Sequence, residues 1–81
     1  MSSRRTGNIV GERVRKARSL AKPPITQEVL VARLQVQGLS YMDQAKISRI
    51  ESGERPVVDL ELVELAQALG VSVPWLLAQD S

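Results

Sequence analysis

Apolar residues recur at intervals of three and four along most of the chain, which predicts helices. The first helix is predicted to start with Asn8 as its cap and to end before Pro23 and Pro24, because proline cannot continue a helix. Its apolar stripe consists of Val10, Val14, Ala17 and Ala21. These residues would face the core and leave most of the cations of this segment in solvent.

Two further helices are predicted between Thr26 and Gly53. Thr26 can cap the second helix, which runs to about Gln37 and ends at Gly38. The third carries the inward-facing pair Ile47 and Ile50. Its start has two alternatives. A capping box of Ser40 with Asp43 would start it at Tyr41, whereas Asp43 as the N-cap would start it at Gln44. Gly53 is expected to end it.

The last third of the chain predicts two more helices. Asp59 is expected to cap the fourth helix, and Gly70 to end it. Ser72 is expected to cap a short fifth helix, in which Pro74 is tolerated in the first turn. The apolar positions of the two helices are Leu62, Leu65, Ala66, Leu69, Trp75, Leu76 and Leu77. The pattern therefore predicts one compact all-α domain of five helices.

Composition removes several classes of function. The 81 residues include no cysteine and no histidine, which excludes disulfides and thiol chemistry and argues against a zinc site. No glycine-rich phosphate loop or catalytic constellation is visible, so an enzyme is disfavoured and no cofactor or metal is expected. No apolar run is long enough to span a membrane, and no signal peptide is recognisable, which favours a cytoplasmic protein.

Charge is distributed unevenly between the two ends of the chain. Residues 1–58 hold all eleven lysines and arginines against five acids, whereas residues 59–81 hold four acids and no cation. A basic front and an acidic back would orient the protein on a polyanion. Residues 1–7 are expected to form a flexible basic arm containing Arg4 and Arg5, and residues 79–81 a C-terminal tail, on either side of a domain at 8–78.

Several motifs together resemble the lambda-repressor-like helix-turn-helix family of phage repressors and bacterial regulators. They are Thr26-Gln27, then Ile47-Ser48-Arg49-Ile50-Glu51-x-Gly53, then Ala68-Leu69-Gly70-Val71-Ser72 and Trp75-Leu76-Leu77. The resemblance covers about Val10 to Leu77. It implies a helix-turn-helix formed by helices 2 and 3. The segment between these helices is longer than in compact members by about six residues, which implies an enlarged turn.

The resemblance also implies a set of DNA contacts. It favours Asp43 as the N-cap, so that Gln44 becomes the first residue of the recognition helix, where an amide can pair with adenine. The expected DNA-binding residues are Gln27, Asp43, Gln44, Ala45, Lys46, Ser48, Arg49 and Arg55. Of these, Gln27 and Arg55 are expected at phosphates, and Lys46 and Arg49 at guanine or phosphate. A structural pair of Arg18 with Glu51 is implied as well.

The function that the resemblance implies is sequence-specific binding of double-stranded DNA by a transcriptional regulator. A repressor is expected, acting as a homodimer on a palindromic operator in a bacterial or phage-infected cytoplasm, and the region of helix 5 is a common dimer contact in relatives. The alternative is an antitoxin-like or other protein-interaction module on the same scaffold, with a regulatory protein as partner. Tyr41 and Met42 have no counterpart in the family pattern. They are expected to contact the core, DNA or another protein.

Overall fold

Five helices and the segments between them account for the part of the chain that the structure, a computed structural model, describes: the backbone of residues 6–79 and the side chains of residues 9–79. Within that range no residue forms a strand. The helices are α1 (Thr6–Leu20), α2 (Gln27–Val36), α3 (Gln44–Ser52), α4 (Asp59–Leu69) and α5 (Val73–Leu76). The prediction of an all-α chain of five helices is confirmed. Of the predicted arm at residues 1–7, residues 1–5, Arg4 and Arg5 included, lie outside the described range, whereas Thr6 and Gly7 belong to α1.

Helix α1 begins earlier than its sequence predicts. It starts at Thr6, so Asn8 lies inside the first turn and the prediction that it caps the helix is wrong. Once a helix is nucleated, each added residue gains a backbone hydrogen bond, and the helix can extend past a residue that would also serve as a cap. Three residues of the predicted stripe, Val10, Val14 and Ala17, are buried, whereas Ala21 lies just after α1 and is partly buried against the core.

The other helix ends follow local chemistry. Thr26 Oγ1 accepts a hydrogen bond from the Val29 N–H at 3.1 Å, and Ser72 Oγ accepts one from Trp75 N–H at the same distance. Gly53 and Gly70 adopt left-handed conformations, with φ of 85° and 72°, at the ends of α3 and α4. These four predictions are confirmed.

The predicted cap of α4 is wrong by one residue. Val58 occupies the N-cap and Asp59 is the first helical residue. The valine side chain has no oxygen that can accept a hydrogen bond, and the Val58 N–H itself donates to Glu61 Oε1 at 3.3 Å. The carboxylate three residues into the helix therefore satisfies the N–H of the N-cap residue, as it does in a capping box.

Helix α3 packs against α1 and α2, while α4 packs against α1, α2 and α5. The core between them is aliphatic apart from one methionine. Its buried side chains are Val10, Val14, Ala17, Ile25, Leu30, Leu34, Leu39, Met42, Ile47, Ile50, Leu65, Ala66, Ala68, Leu69 and Leu76. This arrangement holds α3 on one side of the molecule with one face in the core and the other in solvent.

Gly11 allows α1 and α3 to approach closely. A Cβ atom built at position 11 would lie 2.1 Å from the Ile50 carbonyl oxygen and 3.0 Å from that of Glu51. Both are backbone atoms, so neither can rotate away. The sequence gives no sign of this contact, because Gly11 stands in an ordinary helical segment.

Candidate nucleic-acid interface

The structure selects one of the two predicted starts for α3. Asp43 has extended backbone angles, with φ of −147°, and its Oδ1 accepts the Lys46 N–H at 2.8 Å. Gln44 is therefore the first helical residue, and the start at Tyr41 is wrong. The hydrogen bond from that backbone N–H, followed by the one from the Lys46 ammonium, 3.2 Å from Oδ2, lowers the pKa of the Asp43 carboxyl. Asp43 and Lys46 thus form a charged cap at the start of the helix.

The outward face of α3 carries the side chains expected there. Ile47 and Ile50 are completely buried. Lys46 is half-buried on the flank, and the exposed positions are Gln44, Ala45, Ser48, Arg49 and Ser52. The helix therefore presents amide, hydroxyl, methyl and guanidinium groups to solvent on a backbone fixed by the core.

The predicted pair of Arg18 and Glu51 is present. Arg18 Nε donates to Glu51 Oε2 at 2.6 Å, and Arg18 Nη2 donates to Oε1 at 2.8 Å. Glu51 is only 4% exposed, and the hydrogen bonds to its carboxylate raise the pKa of Arg18. Arg18 Nη1 also donates to the Ile25 carbonyl at 3.1 Å. One guanidinium thus ties the end of α1 to α3 and to the segment before α2.

Gln27 extends this network to the exposed face. Its Nε2 donates to Glu51 Oε1 at 3.1 Å, while its Oε1 accepts from Gln44 Nε2 at 3.2 Å. The side chain of Gln44 is therefore held where α2 and α3 meet, although it remains exposed. Sequence reasoning placed both glutamines near DNA but missed the hydrogen bond between them, which depends on the angle between two helices.

The turn between α2 and α3, residues 37–43, is long but anchored. Leu39 and Met42 are buried in the core, and Gln35 Nε2 donates to the Met42 carbonyl at 2.9 Å. Of the contacts left open for Met42, the core is the correct one. Gly38 has φ of 113°, which allows the chain to turn after α2. The extra residues therefore form a packed turn that fixes the start of α3.

Arg55 was expected at a phosphate, but the structure places its guanidinium on Glu61. Arg55 Nη1 and Nη2 donate to Glu61 Oε1 and Oε2, both at 2.9 Å. The Tyr41 hydroxyl also donates to Glu61 Oε2, at 2.6 Å, which ties the α2–α3 turn to α4. We call Tyr41, Arg55 and Glu61 the Glu61 cluster. Arg55, the predicted phosphate contact, is thus paired within the chain.

The Glu61 cluster is electrostatically strong. The hydrogen bonds from Arg55, and then those from Tyr41 and the Val58 N–H, lower the pKa of Glu61 to about 2 despite the burial of its carboxylate. The hydrogen bond that each makes to the Glu61 carboxylate raises the pKa of Arg55 and that of the Tyr41 hydroxyl. Sequence reasoning treated Glu61 only as a favourable charge near the start of α4, since nothing local reveals partners six and twenty residues away.

Other cations lie at different distances from the outward face of α3. Arg15 is exposed, and its Nε lies 3.6 Å from Glu51 Oε1, next to the Arg18 pair. Arg33 is directed elsewhere, because its Nη1 donates to the Ala68 carbonyl at the end of α4 at 2.9 Å. Arg15 of α1 thus lies beside the residues that support α3, whereas Arg33 points toward α4.

Comparison with known proteins adds no assignment to this geometry. No family model matches the chain, and searches of curated proteins and of solved structures give no significant match. Among residues 6–79, no helix is long and apolar enough to cross a membrane, and no group of three or more acidic side chains is arranged to hold a metal ion. The residues of this chain are therefore the basis for inferring its function.

Proposed function

We propose that the chain binds double-stranded DNA in a sequence-specific manner and regulates transcription, with α2 and α3 acting as a helix-turn-helix and α3 entering the major groove. The observation that carries the proposal is the solvent-facing side of α3. It combines Gln44, Ala45, Ser48 and Arg49 on a helix whose opposite side, Ile47 and Ile50, is completely buried. Amide and guanidinium groups are the side chains that pair with adenine and guanine edges, and small side chains permit close approach to a groove.

The network behind this face supports the same function. Discrimination between base pairs requires side chains that hold their geometry before binding. Glu51 is fixed by Arg18, Gln27 is fixed by Glu51, and Gln44 donates to Gln27. The amide of Gln44 thus has one defined neighbour and remains exposed for contact with a base.

The distribution of charge supports an orientation. The exposed cations Arg15, Lys16 and Arg49 belong to α1 and α3, whereas α4 and α5 contain no cation. Phosphates would therefore be met by the α1–α3 side, and the acidic helices would lie away from the duplex. In this proposal Arg55 supplies stability through its pair with Glu61. Regulation would be by repression, with two copies placing their α3 helices about 34 Å apart on a palindromic operator.

Fluorescence anisotropy with a labelled random duplex, measured over a series of salt concentrations, tests the proposal. The wild-type protein is expected to bind, with an affinity that falls steeply as salt rises because counterions are released from phosphates. Ser48→Glu places an acid on the outward face of α3 and is expected to abolish binding. Gln79→Glu adds the same charge at the exposed C-terminal end and is expected to leave binding nearly unchanged. Equal effects of the two substitutions, or no binding by the wild type, would contradict the proposal.

A further inference from the structure

Three large apolar side chains of α2 and α4, two neighbouring helices, stand in solvent. Val36 is 89% exposed, Leu60 60% and Val63 53%. The two helices are antiparallel neighbours, since Gln37 Nε2 donates to the Glu64 carbonyl and Arg33 Nη1 to the Ala68 carbonyl, each at 2.9 Å. We call Val36, Leu60 and Val63, with the charged residues Arg33 and Asp59 at the two ends, the α2–α4 patch. Burying this patch would remove substantial apolar surface from water.

The charges of the α2–α4 patch have opposite signs at opposite ends. Asp59 is the first residue of α4, and Arg33 lies at the other end of that helix, on the Ala68 carbonyl. Val63 is close to the midpoint, about 6 Å from Asp59 and about 7.5 Å from Ala68 along the helix axis. A two-fold axis near Val63 would therefore bring each Arg33 to Asp59 of the other copy. A surface with this order of charges is complementary to itself.

The remaining charge near the centre is directed away from such a contact. Glu64 Oε1 accepts from Gln37 Nε2 at 2.7 Å, so that this carboxylate is turned toward α2 of its own chain. Arg33 uses Nη1 for the Ala68 carbonyl, and a guanidinium has further N–H groups that remain able to meet a carboxylate. The two charged ends can thus pair without giving up contacts within each chain.

The structure also argues against the α5 region as the site of association. Leu76 is completely buried, and Trp75 is half-buried beneath the Arg13 guanidinium, whose Cζ lies 4.0 Å from the ring centroid. Arg13 Nε donates to the Trp75 carbonyl at 2.8 Å as well. The largest side chains of α5 are therefore used within the chain, which differs from the dimer contact that the family resemblance implies.

We infer that a second copy of this chain docks on the α2–α4 patch, with the two α4 helices antiparallel about a two-fold axis near Val63. Leu60, Val63 and Val36 form its apolar centre, and Arg33 pairs with Asp59 of the other copy at each end. The contact leaves the outward face of α3 uncovered, because α4 packs on α1, α2 and α5. This inference rests on the proposed function only for the biological role of the dimer, since the association itself requires no DNA. A contact with only three apolar side chains from each copy is expected to give a weak, reversible dimer.

Sedimentation equilibrium without DNA, over a wide range of protein concentration, tests this inference. The wild type is expected to show a reversible monomer–dimer equilibrium. Val63→Glu places like charges together at the axis and is expected to raise the dissociation constant at least about tenfold. Leu20→Glu alters an apolar residue of α1 that is 61% exposed, outside the patch, and is expected to have little effect. A wild type that stays monomeric, or a Val63→Glu variant that still dimerises equally well, would overturn the inference.

A charge exchange tests the orientation of the two copies. Arg33→Asp and Asp59→Arg are each expected to weaken the dimer, and the double variant is expected to recover it because the pairs are re-formed with reversed signs. Circular dichroism checks that each variant remains helical. If the double variant is no better than the single ones, the antiparallel arrangement is wrong. DNA binding is measured separately: binding without a dimer overturns only this inference, and a dimer without binding overturns only the proposed function.

Discussion

Glu61 is the residue whose environment departs most from that of an exposed acid. It is 2% exposed, and its carboxylate accepts hydrogen bonds from Arg55, Tyr41 and the Val58 N–H. The sequence shows an acid near the start of a helix, which is common at solvent-exposed positions. Its burial depends on residues brought together by the α2–α3 turn and the loop after α3. Local patterning could therefore not predict the Glu61 cluster.

Glu61 is expected to make stability depend on pH in the acid range. Its pKa in the folded chain is about 2, below the ordinary value of 4.5. A lowered folded-state pKa gives stability that is fully present above the unfolded value and is lost as pH falls toward the folded one. The contribution is up to about 3 kcal/mol. Urea unfolding between pH 6 and about 2 is expected to show this loss.

Glu61→Gln provides the control for that pH dependence. The variant is expected to be less stable than the wild type at neutral pH. The difference between the two is expected to shrink as pH falls from 4.5 to about 2, since the wild-type carboxyl is then protonated in the unfolded chain and, at the end of that range, in the folded chain as well. A difference that stays constant from pH 6 to about 2 would show that the charge of Glu61 has no role in stability.

Replacement of Arg55 and replacement of Arg49 are expected to change the free energy of unfolding by different amounts. Arg55→Ala removes one partner of a buried pair and leaves Glu61 uncompensated, so that a loss of about 3 kcal/mol in unfolding free energy is expected. Arg49→Ala removes a solvated side chain from α3 and is expected to change stability by less than about 0.5 kcal/mol while weakening DNA binding. Chemical unfolding and anisotropy measure the two effects. A stable Arg55→Ala variant would contradict the structural role given to this residue.

At the scale of elements, the sequence predicted most of what local chemistry determines. The caps at Thr26, Asp43 and Ser72 and the glycine ends of α3 and α4 follow from residues within one turn of each helix end. Two of the predicted caps are wrong, because α1 extends past Asn8 and because Val58 occupies the N-cap of α4 in place of Asp59. Start signals in a sequence therefore mark where a helix can begin.

The close approach of α1 to α3 at Gly11 predicts that a larger residue there would destabilise the packing of the two helices. Gly11→Ala would place a methyl group against the Ile50 and Glu51 carbonyls, so the two helices must separate. A loss of stability of about 1–3 kcal/mol is expected, although alanine favours helix formation more than glycine does. Ser19→Ala, at an exposed position of the same helix, is the control and is expected to be neutral or slightly stabilising. Thermal unfolding followed by circular dichroism compares them; a stabilised Gly11→Ala variant would show that the contact is not tight.

At the scale of the whole molecule, the arrangement of α3 connects the fold to the proposed function. The apolar pattern alone predicted which side of α3 is buried, and the exposed residues are those that the family resemblance assigns to DNA. The sequence did not predict that Gln27 joins Gln44 to the Arg18–Glu51 pair, or that Arg55 pairs with the buried Glu61. Both depend on how three segments of the chain meet. The sequence thus predicts which residues form the outward face of α3, whereas the hydrogen bonds that hold this face are visible only in the structure.

Selection of bound duplexes from a random pool, with the wild type and with Gln44→Ala, tests the central claim most directly. The wild type is expected to enrich one palindromic site. Gln44→Ala is expected to remain folded and to relax the preference at one symmetric position of that site, because its amide no longer reaches a base. Failure of the wild type to enrich any sequence, or enrichment of an identical site by the variant, would contradict the assignment of α3 as the element that reads DNA.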